Sequence, residues 1–115
     1  MDTVNIIRFG AFYNEGARGA AGHAPSNDKV WGIARVGGAL VNFWGRRNGV
    51  LKFKLHDDET RVMSKWVEKT TRSRGDRYVP VSRQDTINML CPNLVRDVGR
   101  YFGRAVQIGT INTNF

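Results

Sequence analysis

A chain of 115 residues has the size of one domain, too short for a two-domain enzyme with a deep interdomain cleft. Its 41% hydrophobic and 24% charged residues match a folded protein with a modest core and exclude a disordered chain. Eighteen Lys and Arg against ten Asp and Glu give a formal charge of +8, a balance that favours polyanions such as nucleic acid or an anionic membrane surface.

The excess charge is not evenly spread. Through residue 29 the bases Arg8, Arg18 and Lys29 are matched by Asp2, Glu15 and Asp28, so all of it lies in residues 30–115. One cysteine, Cys91, excludes an intramolecular disulfide, and His23 and His56 stand too far apart for zinc-ligand spacing. No charged-then-apolar leader opens the chain, and no apolar run approaches the roughly 18 residues of a membrane span. The expectation is a soluble cytoplasmic protein, nucleoid-associated in a bacterium, without metal or cofactor.

Residues 3–12 are apolar and β-branched enough for a first strand. Residues 13–28, rich in Gly, Ala, Asn and Ser, have the composition of a mobile surface loop in which Arg18 and His23 are solvated. From Val30 to Val36 an alternating pattern puts Trp31, Ile33 and Arg35 on one face and Val30, Gly32, Ala34 and Val36 on the other. Gly37-Gly38 suits a tight hairpin turn. The return strand, 39–46, alternates Leu40, Asn42, Trp44 and Arg46 against Val41, Phe43, Gly45 and Arg47. Its core side is therefore Val41 and Phe43, with Trp44 and Arg46 on the opposite, uncovered face.

Asn48-Gly49 is a strong two-residue hairpin signal. The third strand of this meander, 50–56, points Leu51, Phe53 and Leu55 inward and Lys52 and Lys54 outward, onto the face of Trp44 and Arg46. Asp57, Asp58 and Glu59 supply a helix N-terminus with an aspartate cap. Val62, Met63, Trp66, Val67 and Thr70 recur at helical spacing to about residue 72, a stripe that packs on the inner face of the sheet, with Trp66 in the core.

Gly75 stops that helix. Residues 77–81 read as a short strand that Pro80 confines to a sheet edge, and Ser82 with Asp85 reads as a capped helix start. The spacing predicts a brief second helix to about residue 90, broken by Pro92, and a third with Leu94, Val95, Val98, Tyr101, Phe102 and Ala105 on its apolar stripe. Arg96, Arg100 and Arg104 lie four apart on that helix and form either a phosphate-tracking row or a solvated face partly balanced by Asp97. The tail from 107 reads as a loose strand or a frayed end. The fold class is α+β: a small twisted antiparallel sheet with one helix packed on it, plus C-terminal helices.

The run from Ser26 to Val81 resembles a WGR domain. Ser26 to Trp31 is similar to that family's polar turn followed by Lys and large hydrophobics, and Trp44-Gly45-Arg46 is the signature itself. Asn48-Gly49 takes the place of the glycine turn, and Leu51 to Leu55 that of the next strand. Glu68-Lys69, Gly75 and Tyr78 are similar to the helix-ending Glu-Lys and the downstream Gly-Tyr. The chain then divides into a WGR-like domain over 1–81, with its core match in 26–81, and a helical extension over 82–115. In poly(ADP-ribose) polymerases this module binds DNA near strand ends, its tryptophan against a terminal sugar or base and its arginine on backbone phosphate. By position the resemblance gives those roles to Trp44 and Arg46. Arg47 and Asn48 depart from the family's small aliphatic and Gly-Thr, and nothing resembles a transferase domain.

The residues expected to bind nucleic acid are Trp44, Gly45, Arg46, Arg47, Lys52 and Lys54, with Arg96, Arg100 and Arg104 next in line. The function so read is non-catalytic binding of duplex DNA or DNA ends through phosphate contacts and an exposed Trp, with shape rather than base sequence recognised. The alternative is a small, phage-like interaction or inhibitor protein that docks on a host protein, through the same Trp and Arg surface or the C-terminal helices, which could also mediate self-association. An enzyme is not expected: no nucleophile and base arrangement, paired carboxylates, P-loop or metal set is present, and Cys91 reads as a structural thiol.

Overall fold

The structure, a computed structural model, describes residues 1–12, 29–47, 49–71 and 78–112. The loop expected over 13–28, with Arg18 and His23, and the helix stop at Gly75 lie outside the described residues, as does the Cys91 side chain. In chain order the elements are β1 (Asp2–Phe12), β2 (Lys29–Val36), β3 (Ala39–Arg46), β4 (Lys52–His56), α1 (Glu59–Thr71), β5 (Val79–Pro80), α2 (Arg83–Phe102) and β6 (Val106–Ile111). The fold is α+β, built on one six-stranded, mostly antiparallel sheet in the order β4-β3-β2-β1-β5, with β6 also on β1.

The β2–β3 hairpin pairs Val36 with Ala39 across the glycine turn, where Gly37 takes φ 60°, a value glycine adopts without steric cost. The expected alternation holds along this hairpin: Gly32 faces Phe43, and Trp31 faces Trp44. The proline-bearing segment is an edge strand, as expected, since β5 pairs Pro80 with Gly10 on the outer side of β1. The other half of that edge is taken by β6, parallel to β1 from Asp2↔Val106 to Ile6↔Ile111. The tail, expected loose or frayed, is thus a sheet strand through Ile111, because its Val106 and Ile111 reach the core.

Helices cover both faces of the sheet, where one was expected. Against Val4, Ile6, Phe9, Val36, Val41 and Phe43 lies α2 with Leu94 and Val98. Against Trp31, Ile33 and Leu40 lies α1 with Val62 and Trp66, whose ring stacks on Trp31 at 6.0 Å. This corrects the expectation that α1 packs on the Val41 and Phe43 face and leaves the Trp44 face open. The long stripe of α2 matches the wholly apolar face; the shorter stripe of α1 suits a face that also carries Arg35 and Asn42. Asn42 is buried there, and its Nδ2 donates to the Gly32 carbonyl at 2.8 Å, which removes the penalty for burying an amide.

Capping sets the helix starts. Asp58 Oδ1 accepts the N–H of Thr60 and Arg61, and Ser82 Oγ accepts the N–H of Asp85 at 3.2 Å, both as expected. Pro92, however, does not divide two helices: α2 runs unbroken from Arg83 to a left-handed cap at Gly103. A proline in a helix interior costs about 3 kcal/mol. Here its ring is exposed, while Ile87 before it and Leu94, Val95 and Val98 after it all pack on the same core, which outweighs the missing bond. Helix α2 and strand β6 therefore share one core with the first strands. Among the described residues no helix is long and apolar enough to cross a membrane.

Candidate nucleic-acid interface

The Trp-Gly-Arg stretch ends β3, and its glycine is required by the backbone around it. Gly45 has φ 153°, and a Cβ there would lie 3.2 Å from the Val50 carbonyl oxygen and 3.4 Å from Leu51 Cα. Glycine thus lets residues 47–51 fold back close against the strand end. The turn is closed by the Gly49 N–H donating to the Arg46 carbonyl at 3.0 Å. Pairing resumes only at Trp44↔Lys52, so β3 and β4 are joined by residues 47–51 and not by a two-residue Asn-Gly hairpin. Asn48 itself lies outside the described residues. The longer loop follows from packing: Leu51, expected in the strand, is drawn into the core beneath α2.

Between this loop, the start of β2 and the end of α1 is a cleft of about 500 Å³. Lys29, Arg46, Lys52 and Lys69 line it, with Trp44, Val50 and Tyr78 as its apolar walls and Gly45 and Gly49 beside them. No carboxylate lines it among the described residues. Four cations in one concavity produce a focused positive potential. The segment that brings in Tyr78 is tied to the helix end, since the Tyr78 N–H donates to the Lys69 carbonyl at 2.9 Å.

Trp44 is half-buried and packs against the Trp31 and Trp66 cluster. Its ring therefore does not stand free on an uncovered face, as expected from alternation; it is a wall of the cleft, with one part fixed in the second core. Fixing it that way removes rotamer freedom before any ligand arrives.

The loop is held from the other side of the sheet by α2. Asp97, buried at 3% exposure, accepts the Leu51 N–H at 2.9 Å and Arg96 Nε at 2.9 Å. Arg96 also reaches the Gly49 carbonyl, and Asn93 Nδ2 donates to the Arg47 carbonyl at 3.0 Å. Burial pushes the Asp97 carboxyl up, but the hydrogen bonds from Arg96 and Leu51, with the charges of Arg96 and Arg100, outweigh it and hold the group below its ordinary range.

Of the residues singled out in sequence, Trp44, Gly45, Arg46 and Lys52 come together in the cleft. Lys54 is exposed one step along the same face, opposite Asn42, and does not line the cleft. Arg47 is half-buried and lies outside the lining. The arginine row is not a row: Arg96 backs the loop through Asp97, Arg100 is exposed on α2, and Arg104 lies beyond the Gly103 cap. There it pairs with Asp2 and sits over the Phe102 ring at 5.3 Å. The helix ends two residues before the third arginine, so four-residue spacing loses its meaning. Sequence reasoning did not assign Lys29, Lys69 and Tyr78 to the site, and their only signal was the resemblance, which runs through all three.

Among the described residues no group of three His, Cys, Asp or Glu comes together in metal-binding geometry. No protein-family model matches the chain, and no significant match is found to any curated protein or solved structure.

Proposed function

We propose that this chain is a non-catalytic nucleic-acid-binding protein that takes duplex DNA, or a DNA end, at the cleft beside Trp44. The observation that carries the reading is the convergence there of Lys29, Arg46, Lys52 and Lys69 around an aromatic wall, with no lining carboxylate. The positions of the WGR resemblance, from Lys29 through Trp44-Gly45-Arg46 to Lys69 and Tyr78, line this one cleft, which supports extending the resemblance to function. Phosphates neutralised by the four cations would supply most of the affinity. The part of the Trp44 ring facing the cleft offers an apolar surface for a terminal sugar or base. The same reading makes the protein cytoplasmic, and nucleoid-associated in a bacterium.

Fluorescence anisotropy with a labelled duplex at several salt concentrations tests this. Four neutralised phosphates give a log–log salt slope of about −3.6, and Arg46→Gln or Lys69→Gln each reduce its magnitude by roughly 0.9. A covalently closed dumbbell duplex without ends, bound as well as the open one, would assign the cleft to duplex backbone rather than to ends. Slopes unchanged in folded variants of Arg46 and Lys69 would remove the cleft from the binding surface.

A further inference from the structure

Among the described residues β4 forms one edge of the sheet, and β5 and β6 together form the other. On the β1 side, β5 and β6 divide the outer edge between them, whereas β4 pairs with β3 and with no other strand among the described residues. In such a strand the main-chain N–H and C=O groups of alternate residues point away from the sheet and form a template for one more strand.

Its two faces differ in chemistry. On the α1 side the strand presents the exposed Lys52 and Lys54, opposite Trp44 and Asn42. Past them is His56, whose imidazole is held below its ordinary value by burial and by the charges of Lys54, Lys65 and Arg61, against a raising effect from Asp57. Cations therefore run along this side of the edge. On the α2 side Leu55, expected to point into the core, is 52% exposed. Beside it Phe53 stacks at 5.1 Å on Tyr101, itself 45% exposed. One side of the edge is basic and the other apolar.

We infer that the free edge of β4 binds an extended segment of a partner protein in which acidic and apolar residues alternate, added to the sheet as a further strand. Alternation in the incoming strand places every second side chain on the same face, so its acids meet Lys52 and Lys54 while its apolar residues cover Leu55, Phe53 and Tyr101. A second copy of this chain does not fit. Antiparallel pairing of β4 with itself, in any register that keeps like faces together, sets lysine opposite lysine or leaves the lysines unmatched, and like charges directly opposite oppose pairing. The inference does not rest on the DNA reading: Lys52 belongs to both surfaces, but the edge lies along β4 and takes in none of Lys29, Arg46 and Lys69.

The probe is a labelled peptide alternating glutamate with valine, titrated by anisotropy into the full-length protein. Two control peptides accompany it: one of the same composition with the glutamates in a block, and one N-methylated on the amides of a single edge. The alternating peptide binds and both controls lose binding. Lys52→Glu with Lys54→Glu weakens it about tenfold or more, as two attractive cross-strand pairs become repulsive, and Leu55→Asp weakens it too. Arg46→Gln, in the cleft, leaves it unchanged. Equal binding of the blocked or N-methylated peptide would reduce the effect to bulk charge and overturn the inference. So would dimerisation of the protein alone, by sedimentation, abolished by Leu55→Asp, which would give the edge to a second copy.

Discussion

Replacing Asp97 by Asn tests the latch that holds the loop after Arg46. The carboxylate accepts three hydrogen bonds, from the Leu51 N–H and Arg96 Nε, each at 2.9 Å, and from Arg96 Nη2 at 3.4 Å. Asparagine keeps one acceptor oxygen; placed on the buried Leu51 N–H it turns its NH₂ group toward the exposed Arg96 guanidinium, so the buried bond loses its charged acceptor and the Arg96 bonds are lost, at about 1–2 kcal/mol. The lost ion pair adds little, because the Arg96 side chain is 45% exposed. The cost is roughly 1–2 kcal/mol, or about 4–8 °C in Tm for a domain of this size. Urea unfolding followed by tryptophan fluorescence measures it. Because the folded-state pKa of Asp97 is held below its ordinary value, the stabilisation is complete above the unfolded value of about 3.9 and is lost as pH falls through the folded one. The gap between wild type and Asp97→Asn therefore stays constant from about pH 8 to 5 and narrows below about 4. Equal stability at pH 7, or a gap undiminished in acid, would refute the latch.

Two further outcomes follow from packing. A Cβ at Gly32 would overlap the ring of the fully buried Phe43, with Cε2 at 2.6 Å and Cε1 at 2.8 Å; Gly32→Ala should cost about 1–3 kcal/mol, partly recovered in Gly32→Ala/Phe43→Leu, and a double-mutant unfolding cycle reads the coupling. Pro92 is exposed inside a continuous helix, so Pro92→Ala should stabilise by roughly 2–2.6 kcal/mol, the helix gain less the unfolded-state entropy that proline removes; no gain in thermal unfolding would mean that the helix is bent around the ring.

Much of the site was legible in the alternation of two strands. Because side chains alternate with period two, Trp44 had to lie on the face opposite Val41 and Phe43, and Lys52 had to share a face with Lys54, and they do. That all three share one face was decided by the 47–51 connection, since a two-residue Asn48-Gly49 turn would have set Trp44 opposite Phe53 rather than Lys52. What alternation cannot say is which helix covers which face. Both faces of β2 and β3 carry apolar residues, so the assignment of α1 to the Phe43 side was one of two consistent choices. The structure made the other, and thereby changed Trp44 from a free platform into a cleft wall. Lys29 and Lys69 were beyond any local pattern: one opens a strand, the other ends a helix, and only the return of the chain at Tyr78 brings α1's end to the cleft.

The sequence by itself determined the α+β class, the register of the β2–β3 hairpin, both helix caps, the edge position of Pro80 and the sign of the charge, because each depends on residues near one another in the chain. Tertiary structure alone decided that Pro92 is spanned, that the C-terminal segment adds a parallel strand to β1, and that Asp97 grips the loop after Arg46. Those outcomes depend on apolar area and buried hydrogen bonds contributed by segments 46 to 105 residues apart, and no local propensity records such separations.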